Sequence, residues 1–209
     1  MTAPDWVAWH DGYDDPESSL HHRLRLVQRR IRDALDGAPP GPIRILSMCA
    51  GQGRDLLGVL DTHPRRDDVH ARLVELDPDN AERARQSAAR FPNVGVTTGD
   101  AADTSAYAAV VPVNLALVCG VFGNISDDDI RRTIAELPHL CAPGATVIWT
   151  RHRQPPDLTP QIRSWLIDAG FTEVACEGGL DKWIGVGTHQ FGGTPSPYRP
   201  DLRLFEFER

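Results

Sequence analysis

The sequence predicts an α/β protein built on a doubly wound, mostly parallel seven-stranded sheet, and three observations carry that prediction. Short apolar runs alternate with segments of helical period for five rounds. The run at residues 113–119 is almost wholly apolar, as expected of a strand covered on both faces. After Gly170 the alternation stops and strand-like segments follow one another, which predicts an antiparallel hairpin at one sheet edge.

Each element has a local cause. Residues 1–16 hold Trp6, Trp9, His10 and Tyr13 without a clean period; indole rings are poorly accommodated in water, so this arm is expected to pack back on the body. Ser18 or Ser19 caps a helix to about Leu35, with Leu20, Leu24, Val27 and Ile31 on one face, and Gly37, Pro39 and Pro40 end it. Residues 1–40 are thus expected to form an N-terminal arm and helix and residues 41–209 the core of a single domain. Ile43, Ile45, Leu46 and Met48 form a first strand, Cys49 to Gly53 a tight loop, and Leu56, Leu57 and Leu60 the face of the next helix. A second strand spans 70–76. Pro78 then opens a helix with Ala81, Ala84, Ala88 and Phe91 in phase. A third strand spans 94–97 and turns at Gly99-Asp100; the fourth is 113–119. Ser126 caps a helix whose first turn holds three aspartates, suited to the positive end of the dipole, reaching about Leu140. Pro143-Gly144 leads to a fifth strand at 146–150, and Thr159 or Pro160 opens a helix to Gly170. Segments 171–177, 183–191 and 202–207 all read as strands. Pattern alone does not decide which two of them join the main sheet.

Composition narrows the function. A net charge of −7 and a pI near 5.6 argue against a nucleic-acid or anionic-membrane partner, since either needs a dense positive patch. Arginines within 23–32 fall on one helix and read as its solvated face. Cys49, Cys119, Cys141 and Cys176 show no paired C-x-x-C spacing and follow no signal peptide, which predicts reduced thiols in a cytoplasmic protein, monomeric or homodimeric. No apolar run approaches the length that spans a bilayer.

In an open α/β sheet, ligands collect at the carboxyl ends of the strands beside the first one. The residues there are Ala50, Gly51, Gln52, Gly53 and Arg54 after the first strand, Glu75 and Leu76 at the end of the second, Asp100 and Ala101 after the third, and Cys119 to Asn124 after the fourth. Gly51 and Gly53 let a ligand lie against the main chain. Glu75 lies 22 residues beyond Gly53, where a carboxylate can accept from both hydroxyls of a ribose, and Asp100 can accept from an adenine amino group. A nicotinamide dinucleotide enzyme is the nearest rival, but its G-x-G-x-x-G fingerprint fails: the sixth position is Leu56 counted from Gly51 and Arg54 counted from Cys49.

From Ile43 onward this ordered set resembles the class I S-adenosylmethionine-dependent methyltransferases, whose fold is Rossmann-like. Their first motif, hydrophobic-Leu-Asp-hydrophobic-Gly-x-Gly-x-Gly, lies over Ile45 to Gly53, with Ser47 in place of the acid and Cys49 in place of the first glycine. The resemblance continues in Glu75 and in Gly99-Asp100-Ala101. It implies S-adenosylmethionine as cofactor, its ribose on Glu75, its adenine on Asp100 and the Ala101 amide beside Leu76, and its methionine part on Ala50 to Gly53 and Arg54. Val118, Cys119 and Gly120 would border the sulfonium. Residues 1–40 would form an N-terminal helical lid over the cofactor, Tyr13 stacking on it or hydrogen-bonding to it, and Arg23 would meet the methionine carboxylate or remain an exposed helical arginine.

Methyl transfer asks the protein to hold a nucleophile at roughly 3 Å from an activated carbon and to exclude water. A base is needed only for a nucleophile of high pKa. Candidates for that role or for acceptor contact are His10 and Tyr13 in the arm, His152 after the fifth strand and His189 in a late strand. The loop after the fourth strand, Gly120-Val121-Phe122-Gly123-Asn124, lacks both the Asn/Asp-Pro-Pro-aromatic motif of amino-group nucleic-acid enzymes and the Pro-Cys of cytosine-C5 enzymes. The turn after the fifth strand lacks an Asp-Asn pair for magnesium, so no metal is expected. The expected acceptor is a small molecule. A NAD(P)-binding oxidoreductase and a catalytically silent S-adenosylmethionine-binding module are the alternatives.

Overall fold

The computed structural model describes residues 10–178 and 183–208, the side chains of residues 10 and 11 excepted. The expectations for Trp6, Trp9 and the His10 side chain therefore lie outside the described residues. A short 3-10 turn at His10–Tyr13 is followed by α1 (Ser19–Gly37), β1 (Ile43–Met48), α2 (Arg54–Leu60), β2 (Val69–Glu75), α3 (Pro78–Ala88), β3 (Val94–Thr98), β4 (Val113–Val118), α4 (Asp127–Glu136), β5 (Cys141–His152), α5 (Thr159–Asp168), β6 (Phe171–Gly178) and β7 (Ile184–Phe191).

The seven strands form one sheet in the order β3-β2-β1-β4-β5-β7-β6. Pairings among β3, β2, β1, β4 and β5 are parallel, whereas β7 is antiparallel to both of its neighbours. Strand period decides which residues meet which helices. Ile43 and Ile45 face the layer of α1, α2 and the end of α3, while Leu46 and Met48 face the layer containing α4 and α5. The caps expected from sequence are present: Ser18 Oγ accepts from His21 N, and Ser126 Oγ from Asp129 N at 3.1 Å.

Three features differ from the sequence expectation. The fifth strand begins at Cys141, since Pro143-Gly144 sits in a bulge within β5 instead of before it; Val113 pairs with Cys141 and the register then jumps to Leu115 with Thr146. Helix α1 also serves as a core layer, because Val27, Ile31 and Leu35 are fully buried against β1 and α2. Segment 202–207 joins no strand of the sheet. It makes isolated bridges at Arg203 and Phe207 and threads across the loops after β3 and β4, with Leu202 O accepting from Thr104 N, Leu204 N donating to Ala102 O and Glu208 N donating to Asn124 O. Between β3 and β4 the chain forms only a 3-10 turn at Thr104–Tyr107. The strap supplies the missing cover there: Leu204 and Phe205 are fully buried with Leu46, Met48, Val74 and Tyr107.

Candidate functional site

The loop after β1 turns back sharply. Cys49, Gly51 and Gly53 have φ of 50°, 54° and 73°, the left-handed region. Gly53 is required twice over, by this conformation and by space, since a Cβ would lie 2.8 Å from both Leu57 and Leu73 side-chain carbons. Cys49, at the place of the motif's first glycine, adopts the glycine-like backbone and bears the strain. Ala50 N donates to Val74 O at 2.9 Å and Gly53 N to Ala50 O at 2.8 Å, which sets the loop on the end of β2.

Glu75 ends β2 and is held by the main chain. Gly51 N donates to its Oε2 at 2.7 Å and Asp77 N to its Oε1 at 2.8 Å, so each oxygen keeps a further lone pair for a ligand. Leu76 beside it is 61% exposed, an apolar surface next to a fixed carboxylate. Asp100 accepts from Ala102 N at Oδ1 (2.8 Å) and from Arg203 Nη1 at Oδ2 (2.9 Å). Ala101 is buried, its carbonyl accepting from the Tyr107 hydroxyl. Both acids face Cys49: burial pushes its thiol well above the usual range, and the charges of Glu75 and Asp100 push it further.

On the other side of the loop, Cys119 is buried, with Sγ 4.0 Å from Ile148 O; burial drives its thiol far up, which leaves it a small apolar group and no nucleophile. Gly120 has φ of 76° with open space where a Cβ would stand. Its N donates to Thr150 Oγ1 at 2.9 Å and its O accepts from Asn124 Nδ2 at 2.7 Å, fixing the mouth of β4 against β5.

Tyr13 closes the near end. Its ring is 6% exposed between two guanidiniums, with Arg23 Cζ 5.3 Å and Arg54 Cζ 5.7 Å from its centroid, and its hydroxyl accepts from Arg23 Nη2. Arg54 in turn forms a two-pronged pair with Asp14, at 2.7 and 3.3 Å, and donates from Nε to Gln52 Oε1 at 3.1 Å. That pair holds the Asp14 carboxyl below its ordinary range. Tyr13, Arg23 and Arg54 are thus brought together, with Arg54 joining the group to the glycine loop through Gln52. Arg23 is buried, so it is not an exposed helical arginine.

The two histidines part company. His152 ends β5 at the carboxyl edge, its ring against Gly123, and burial plus the Arg151 charge lower its pKa, partly countered by Asp157. His189 lies six residues into β7, which runs antiparallel, so it faces Val147 and Glu173 toward the opposite edge. It is fully buried, accepts from Trp149 Nε1 at 3.3 Å, and burial lowers its pKa to about 4. The expectation of a catalytic His189 is corrected accordingly: the ring packs the core and does not reach the loop cluster.

Sequence reasoning missed Asp14, Arg203 and Thr150. An acid next to Tyr13 in a chain with Arg54 was a usable signal for the first; the other two come from contacts across 103 and 30 positions. Among the described residues, no helix is long and apolar enough to cross a membrane. An open cleft of about 500 Å³ lies beside the start of α1, lined by Ser19, Gln154, Pro155 and Trp183.

A family model described as "Putative methyltransferase" matches residues 18–168. A sequence search of curated proteins gave no match. Among solved structures, an N-methyltransferase from Bradyrhizobium japonicum in complex with S-adenosyl-L-homocysteine is similar at 16% identity, covering 91% of this chain and 94% of that one, with a TM-score of 0.67. Magnesium protoporphyrin IX methyltransferase from Synechocystis is similar at 12% identity, covering 89% and 93%, with a TM-score of 0.68. The 1,6-didemethyltoxoflavin-N1-methyltransferase of Burkholderia thailandensis is similar at 17% identity, covering 92% of each, with a TM-score of 0.62. These likenesses establish a shared fold, and the family match, spanning most of the chain, places this protein among the methyltransferases of that family.

Proposed function

We propose that the chain moves a methyl group from S-adenosylmethionine to a small-molecule acceptor. The observation that carries this is the Glu75 carboxylate, pinned by the Gly51 and Asp77 amides with lone pairs to spare beside exposed Leu76, with Asp100 on the loop after the neighbouring strand β3. A nucleoside fits these groups: a diol on Glu75, a purine face on Leu76, an amino group on Asp100. Ala50, Gly51 and Gly53 would face the amino-acid end, with Arg54 and Arg23 as cations and Tyr13 as roof. Cys119 and Gly120 border the space between.

When bound, S-adenosylmethionine supplies a methyl group activated by its sulfonium, so the chain's own work is to orient the acceptor and keep water out. Tyr13, buried between Arg23 and Arg54, excludes water from the near end. His152 is the proton acceptor we assign. Its lowered pKa keeps the imidazole neutral and basic into mildly acidic solution, so the acid limb of the kcat profile is expected below pH 6.5 and to vanish in His152→Gln. The cleft at Ser19, Gln154, Pro155 and Trp183 is the acceptor's entry, and its mixed polar and aromatic lining favours a small organic molecule over a nucleic acid. Four free cysteines suit a reducing, cytoplasmic setting.

The test is calorimetry with S-adenosylmethionine and S-adenosylhomocysteine, followed by a metabolite panel read by mass spectrometry for the gain of one methyl. Binding plus transfer is expected. Binding without any transfer supports the silent module, and NADH binding in place of the methyl donor supports the oxidoreductase.

A further inference from the structure

Asp100 sits on a loop with its side chain 38% exposed, where a carboxylate would ordinarily sample several orientations. Here it is pinned through both oxygens, by the Ala102 amide at 2.8 Å and by Arg203 Nη1 at 2.9 Å. The second pin comes from the strap, whose main chain is held on both sides of Arg203. Leu202 and Leu204, on either side of Arg203, bond to Thr104 and Ala102 through the main chain; Leu204 and Phe205 are fully buried; and Leu204 O accepts from Arg132 Nε at 3.0 Å. Arg203 also lies 3.4 Å from the exposed carboxylate of Glu206.

We infer that Arg203 is a positioning residue of the adenine subsite, holding Asp100 in one orientation so that its remaining lone pairs accept the exocyclic amino group of the base. This rests on the methyl-donor reading above. Two physical arguments support it. Glu75 and Asp100 bring two like charges to one buried thiol, and the Arg203 cation offsets one of them while leaving it an acceptor. A fixed carboxylate also discriminates: it takes a hydrogen bond from a 6-amino purine and repels the carbonyl of a 6-oxo purine. The strap, which replaces a helix between β3 and β4, thereby becomes part of base recognition.

The test compares calorimetric Kd values for S-adenosylhomocysteine and S-inosylhomocysteine in the wild type, Arg203→Gln, Arg203→Lys, Asp100→Asn and the double variant Asp100→Asn with Arg203→Gln. The wild type is expected to prefer the adenine compound by about tenfold or more. Arg203→Gln should cut that preference at least about threefold, Arg203→Lys should retain most of it, and Arg203→Gln should change nothing further in the Asp100→Asn background. Equal weakening of both compounds, an unchanged ratio in Arg203→Gln, or a further drop in the double variant would overturn the inference, since a merely structural strap weakens both ligands alike. Wild-type protein that binds neither compound removes the methyl-donor reading itself. Binding of both without preference removes only the roles of Asp100 and Arg203. Should Arg203→Gln fail to melt cooperatively, a ratio in Arg203→Lys equal to that of Asp100→Asn overturns the inference as well.

Discussion

The two halves of the sheet use the same residue types to opposite ends. At the carboxyl edge of β1, β2 and β3, acids and glycines are held chiefly by the main chain: Glu75 accepts from two backbone amides, and the loop from Cys49 to Gly53 is tied to Val74 and Ala50. In the β5–β7–β6 flank, the acid and histidine are held by side chains. Glu173 takes two bonds from Arg163 and lies 3.7 Å from His189, whose other nitrogen accepts from Trp149. Both acids accept one bond at each oxygen, but the donors at Glu75 are amides of two separate loop positions, whereas at Glu173 a single guanidinium lies along both oxygens. The difference teaches that the manner of anchoring, more than residue type, separates a site from a core.

That contrast can be broken at either end. The largest effect is expected from Glu75→Ala, which removes two charge-assisted bonds to a ribose diol and should weaken S-adenosylhomocysteine binding by about 4 kcal/mol, close to a thousandfold, in calorimetry. Unchanged affinity would sink the ribose assignment. In the other half, Gly187→Ala should leave affinity intact and cost about 3 kcal/mol of stability, because a methyl there overlaps the buried Trp149 ring. Denaturant unfolding reads this directly, and a loss confined to ligand binding would invert the comparison.

A pH effect belongs to the same flank. His189 has its pKa lowered to about 4, so the unfolded chain takes up the proton first as pH falls through 6.5. Stability is full above pH 6.5, declines on the way to pH 4 and levels off beneath it. The contribution lost between pH 7.5 and pH 5 is about 2 kcal/mol. Melting temperatures across that range should fall in the wild type and fall less in His189→Gln. The smallest effect is expected from Cys49→Gly, which relieves left-handed strain of about 1 kcal/mol but loosens the unfolded chain by a similar amount. A net change within about 0.5 kcal/mol would fit that balance; a loss of several would show that the thiol packs more than the backbone strains.

The fold was legible where periodicity is strong. The five parallel strands, the helices after the first, second, fourth and fifth of them, and the caps at Ser18 and Ser126 followed from spacing, because each is a local consequence of which side chains must be covered. The cluster of Tyr13, Arg23 and Arg54 was partly legible, since an aromatic arm near a glycine loop has few other places to pack. The strap was not: Leu202, Leu204 and Phe205 read as a strand, yet their main-chain partners are loops at Ala102 and Thr104, and no local pattern reports a partner 100 positions away. His189 was misplaced for a related reason. Alternation says that a strand residue faces one side of a sheet, and it does not say which end of the sheet the residue occupies once the strand runs backward.

The backward strand also has a temporal meaning. β6 pairs only with β7, and β7 lies between it and β5, so β6 leaves the ribosome with no sheet neighbour to join. The parallel strands β1 to β5 can collapse first, but β5 keeps an open edge until the chain reaches Phe191 and the final hairpin inserts. Assembly of this flank is therefore the late, non-local step, and the interval before it is when β5 is exposed to mispairing with another chain.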